Sequence, residues 1–131
     1  MNNKNQSPVI FETKYDVKNA EELESKIHQK YGNNYETEKL FTEYPTVYII
    51  NSLLSNKGRY VVYVGETNDI QRRTIEHLGE DPKIRQDFAD FKQSPNAEMY
   101  VIGHNHFNKS MTLDIENRLM QYLTSVQLFL N

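Results

Sequence analysis

Thr46-Val47-Tyr48-Ile49-Ile50-Asn51, then Asn56-Lys57-Gly58, then Tyr60-Val61-Val62-Tyr63-Val64-Gly65 is the stretch that decides the fold. The outer runs are β-branched and aromatic, the composition of strands, and the middle triplet is a turn signal. Together they predict an antiparallel hairpin with a longish loop. Gly65-Glu66-Thr67-Asn68 leads out of the second strand; Asn68 is placed to cap a helix over 69–78, which Gly79 ends. A glycine at the strand exit lets that helix start close against the strand end.

Outward from the hairpin the pattern is mixed. Residues 1–8 are polar and end at Pro8, a loose tail. Residues 9–44 read as an N-terminal extension with one helix over 19–31: Asn19 caps it, acids fill its first turn, and Leu23, Ile27 and Tyr31 recur at spacing four. After the hairpin, Pro82 opens a helix with Ile84, Phe88 and Phe91 in step. Residues 98–103 read as a third strand. Ser110 or Thr112 caps a last helix with Ile115, Leu119, Tyr122 and Leu123 on one face, and 126–130 continue as strand or helix tail. The expected fold is α+β, a small antiparallel sheet of about three strands flanked by helices. Residues 45–131 form the main domain, one compact unit with the extension.

The 131 residues suit one domain. Only 37% are hydrophobic and the mean hydropathy is -0.76, yet nine Tyr and six Phe supply core. Cysteine is absent, which excludes disulfides, Cys-zinc sites and thiol catalysis and fits a reducing, cytoplasmic setting. No window approaches the ~18 apolar residues of a membrane span, and residues 1–6 lack the apolar stretch of a signal peptide. The net charge of -3 argues against a nucleic-acid binder. The charge is uneven, however: residues 12–43 hold eight acids and five bases, whereas residues 57–85 hold six bases and five acids.

Several residues can carry chemistry. Tyr48 and Tyr63 lie on neighbouring strands, where two phenols can share a face; they equally serve as aromatics covering a sheet. Arg73 and His77 share a helix face close to a strand end, suited to a phosphate or simply to solvent. Glu116, at the margin of an apolar helix face, is an oxygen ligand for a hard divalent cation or a solvated acid. His104-Asn105-His106 reads as polar loop, and no P-loop motif is present.

These pieces, in this order, resemble the GIY-YIG nuclease family. Thr46-Val47-Tyr48 stands for the first half-motif and Tyr63-Val64-Gly65 for the second. Arg73 follows Gly65 by eight positions and His77 follows Arg73 by four, the family's spacing. Glu116 in Leu113-Asp114-Ile115-Glu116-Asn117-Arg118-Leu119 matches the family's metal-binding glutamate, and Asn131 its closing asparagine. The resemblance spans about residues 45–131. Thr46 replaces the first glycine, Val47 and Val64 replace isoleucines, and the loop between half-motifs is longer than usual. Residues 107–116 are similar to the version found at the N-terminus of large bacterial proteins that carry a P-loop ATPase or helicase-like region downstream.

The resemblance implies a metal-dependent endonuclease that hydrolyses phosphodiester bonds in DNA. Glu116 would hold Mg²⁺ or Mn²⁺ against the phosphate. Arg73 would pair with the phosphate from the other side. Tyr48 is the favoured base for the attacking water, helped by Arg73, the metal or His77, with Tyr63 as a second organising phenol. Gly65, Asn68, Arg72, Lys57 and Asn131 would line the substrate. The alternatives are a nucleic-acid-binding module with lost or latent cleavage, and a protein-interaction domain using the acidic N-terminal helix. Removal of residues 1–44 is expected to spare catalysis and abolish partner binding.

Overall fold

The structure is a computed structural model, and it describes residues 7–54, 59–81, 83 and 86–130. Along the chain these form β1 (Val9–Lys14), α1 (Val17–Glu21), α2 (Leu23–Tyr31), α3 (Tyr35–Thr42), β2 (Thr46–Leu54), β3 (Arg59–Thr67), α4 (Ile70–Leu78), α5 (Gln86–Gln93), β4 (Glu98–Gly103) and α6 (Lys109–Leu130). The fold is α+β. β2 and β3 are the expected hairpin, longer than the two apolar runs, with Tyr48 opposite Gly65 and Ile50 opposite Tyr63.

The sheet has four antiparallel strands in the order β1-β4-β2-β3, one more than the three expected. The added strand is Val9–Lys14, whose Phe11 faces inward while Ile10 and Glu12 face out. Its alternation is short and only one of its side chains is fully buried, so its own sequence barely marks it. What makes it a strand is β4, whose second edge it covers from Val9–Gly103 to Lys14–Glu98.

The extension therefore shares the sheet, and it holds three helices where one is expected. Asp16, not Asn19, opens the first: its carboxylate accepts the Asn19 N–H at 2.8 Å. Glu22 separates α1 from α2, and the Asn34 side chain caps α3. Leu23 and Ile27 are buried as their spacing predicts, joined by Leu40 and Phe41 of α3.

Other caps also shift. Asp69, not Asn68, caps α4 by accepting the Arg72 N–H at 3.1 Å, while the Thr67 hydroxyl accepts the Asp69 N–H at 3.0 Å. Asn108 caps α6 through the Met111 N–H, which places Ser110 and Thr112 inside the helix. Residues 126–130 continue α6. Pro82 and Ile84 lie outside the described residues; Phe88 and Phe91 of α5 are buried.

Strand alternation divides the core in two. On one sheet face Phe11, Tyr48, Ile50, Met99 and Val101 meet Tyr15, Leu23, Ile27, Phe88 and Phe91. On the other, Val47 and Val64 with Ile49 and Ile102 meet Phe107 and Ile115, Leu119 and Leu123 of α6. Among the described residues, no helix is long and apolar enough to cross a membrane.

Candidate active site

The site begins with a close approach inside the hairpin. Tyr48 of β2 lies across from Gly65 of β3, and a Cβ at residue 65 would stand 2.4 Å from both Cζ and Oη of Tyr48. Only glycine leaves the ring its place. Tyr63, one diagonal step away on the same face, puts its ring centroid 6.1 Å from that of Tyr48.

α4 then lays its inner face over the two tyrosines. The Tyr48 hydroxyl and His77 Nε2 are hydrogen-bonded at 2.7 Å, and each residue is only 1% exposed. Phe88 of α5 stacks on the imidazole with centroids 3.8 Å apart, and the Tyr63 ring packs edgewise on both. His77 is thus held by packing as well as by its hydrogen bond. Burial pushes the Tyr48 phenol well above its ordinary pKa; nearby Tyr63 adds to the rise and the Arg73 guanidinium opposes it. The raised pKa keeps the Tyr48 phenol protonated.

Arg73, one turn before His77, is partly exposed and lies beside the Tyr48 hydroxyl. Its Nη1 also meets Glu76 Oε1 at 3.2 Å, while Glu76 Oε2 takes Arg72 Nη1 at 2.9 Å. One carboxylate therefore holds both guanidinium groups. Asn68 is exposed between β3 and α4.

Glu116 belongs to a second group. α6 covers the sheet face opposite Tyr48 and Tyr63. Near the end of β3 the Glu116 carboxylate meets the main-chain N–H of Glu66, the residue next to Gly65, and lies near the Glu66 carboxylate. Burial raises the pKa of Glu116, and Glu66 raises it further; Lys109 and the Glu66 N–H work the other way. Glu66 itself bonds Lys109 Nζ at 2.6 Å and the Thr112 hydroxyl at 3.2 Å.

The structure brings Tyr48, Tyr63, Arg73, His77 and Gly65 together on one sheet face. It sets Glu116 on the other, joined to them by the consecutive residues Gly65 and Glu66. Lys57 and Asn131 lie outside the described residues. Sequence reasoning missed Phe88 as the imidazole's stacking partner, Glu76 as the link between arginines, and Glu66. Lys109, Thr112 and Glu116 do carry a signal, the i, i+3, i+7 spacing of one helix face. Nothing local announces that this face meets Glu66.

A divalent cation fits the Glu116 group. Mg²⁺ needs only one or two carboxylates and takes its remaining ligands from water and phosphate; Glu116 offers one, with the Glu66 carboxylate nearby but already held by Lys109 and Thr112. Among the described residues no group of three or more His, Asp or Glu is arranged to hold a metal. His104 Nδ1 accepts the His106 N–H at 2.9 Å, a contact within the loop.

The chain matches no protein-family model, no curated protein and no solved structure in the comparisons made.

Proposed function

We propose that this chain is a metal-dependent endonuclease of the GIY-YIG type, hydrolysing phosphodiester bonds in DNA. The observation that carries the reading is the Tyr48–His77 hydrogen bond beside Arg73, in a space that only Gly65 permits. A motif tyrosine, arginine and histidine that were simply covering a helix face would have no need to converge.

In this reading Arg73 binds a nonbridging oxygen of the scissile phosphate and offsets the charge that grows there. Tyr63, only partly buried, orients the attacking water. A buried phenol with a raised pKa is a poor source of free phenolate. Tyr48, itself closed off from solvent, therefore receives the water's proton by way of the neighbouring Tyr63 hydroxyl while passing its own to His77 Nε2, so no isolated phenolate forms. Glu116 would hold Mg²⁺ or Mn²⁺ with Glu66 close by. When bound, the ion supplies charge stabilisation at the phosphate and the leaving oxygen. Arg72 adds a backbone-phosphate contact.

A second reading, a nucleic-acid-binding or protein-interaction module with latent cleavage, draws support from two features: Tyr48 is closed off from solvent, and Glu76 already occupies both arginines. The resemblance of residues 107–116 extends the main reading to a bacterial, cytoplasmic protein partnered by a downstream ATPase or helicase-like region.

The test is nicking of supercoiled plasmid by the full chain with Mg²⁺ or Mn²⁺. Arg73→Ala and Glu116→Gln are each expected to abolish nicking with the circular dichroism spectrum unchanged. Full activity in either variant would overturn the assignment, and DNA binding by the wild type without any nicking would favour the module.

A further inference from the structure

Three side chains of α6 converge on one residue of β3. Lys109 Nζ bonds Glu66 Oε1 at 2.6 Å and the Thr112 hydroxyl bonds Oε2 at 3.2 Å, so both carboxylate oxygens are engaged. Glu116, one turn past Thr112, meets the Glu66 main-chain N–H. The Glu66 side chain is 9% exposed and Thr112 is fully buried, whereas the Lys109 side chain is 58% exposed. Glu66 is therefore locked from three directions, and its backbone reaches the one carboxylate suited to a cation. Lys109 supplies a positive charge to two neighbouring negative ones.

We propose that Glu66 is a positioning residue for the cation site of Glu116, and that Lys109 sets the affinity of that site as its built-in countercharge. This rests on the reading of Glu116 as a ligand for a divalent cation. Glu66 acts in two ways. Its N–H fixes the Glu116 carboxylate at the end of β3, and its own charge adds to the attraction felt by an incoming cation. Lys109 subtracts from that attraction while holding Glu66 in place.

A purely mechanical role, stapling α6 to the sheet, makes a different forecast. Loss of either partner of a staple lowers stability and leaves cation affinity alone. The charge role makes Glu66 and Lys109 act with the same sign on stability and with opposite signs on the cation.

The experiment titrates the full chain with Mn²⁺ near neutral pH and reads the free ion by electron paramagnetic resonance. Melting curves in EDTA run in parallel to confirm folding. Glu66→Gln keeps an acceptor for Thr112 and removes the charge; its Mn²⁺ affinity is expected to fall roughly tenfold. Lys109→Gln is expected to bind Mn²⁺ about threefold tighter although it melts lower. Lys109→Arg, which keeps charge and contact, should bind as the wild type does. The double variant, with both charges removed, should lie between the single ones and serves if either single variant folds poorly. Unchanged affinity in both single variants, or a shift in the same direction, would overturn the proposal and leave the endonuclease reading standing. A folded wild type that takes up no Mn²⁺ would remove the metal reading, and this proposal with it.

Discussion

The hydroxyl of Tyr48 is hydrogen-bonded to His77 Nε2 at 2.7 Å in the interior, linking the first part of β2 to the last turn of α4. Gly65 makes the space, Phe88 stacks on the imidazole, and Tyr63 closes the side. A polar pair enclosed in this way is costly to break from one side only, because the group left behind has lost its contact with water as well.

Tyr48→Phe should lower stability by about 1–3 kcal/mol, read from the denaturant midpoint, and abolish plasmid nicking. It should also change the alkaline limb. The folded protein holds the Tyr48 proton above the ordinary phenol pKa of about 10, so the unfolded chain releases it first. Stability from this group is full below about pH 10 and declines as pH rises above that, by at most ~1.4 kcal/mol per unit. The Phe variant should decline less steeply.

Gly65→Ala places a methyl group 2.4 Å from the Tyr48 ring tip, and that ring is boxed in by His77 and Tyr63. The ring must move and the hydrogen bond to Nε2 must lengthen. A loss of about 1–3 kcal/mol in thermal unfolding is expected, together with loss of nicking. Wild-type stability in this variant would show that the close approach is not a constraint.

Glu76→Gln releases Arg72 and Arg73 from a shared carboxylate. Exposed helix ion pairs contribute little, so stability should change by less than about 1 kcal/mol. Binding of a short labelled duplex, followed by fluorescence anisotropy without metal, should tighten by roughly threefold or more. The slope of log affinity against log salt should steepen by about one. Unchanged affinity would mean that the arginines are already available to phosphate.

Phe11→Ala should cost about 3–5 kcal/mol, because Phe11 packs on Tyr31 and Phe41 beneath the sheet. By the same logic, a chain beginning at residue 45 loses β1 and much of one core face. It should show no cooperative thermal transition. Deletion of residues 1–44 thus removes part of the fold, and cannot separate catalysis from partner binding as the sequence alone suggests.

The local signals were readable because they have short periods. Alternating β-branched and aromatic residues mark β2 and β3, and Tyr48 and Tyr63 fall on one face by parity. Spacing four puts Arg73 and His77 on one side of α4. Cap positions misled at Asn19 and Asn68 because an aspartate three positions before Asn19, and another directly after Asn68, starts each helix at a different residue: Asp16 accepts the Asn19 N–H and Asp69 the Arg72 N–H.

What the sequence by itself determined is the hairpin, the helix that follows it, and the set of residue types able to handle a phosphate. Only the tertiary structure decided that Val9–Lys14 joins the sheet, that His77 turns inward to Tyr48, and that Glu116 meets Glu66 across the edge strand. Each of these depends on burying apolar faces and pairing polar groups between segments far apart in the chain. Such contacts leave no period in the sequence, because the energy that selects them belongs to the surfaces brought together, not to either segment alone.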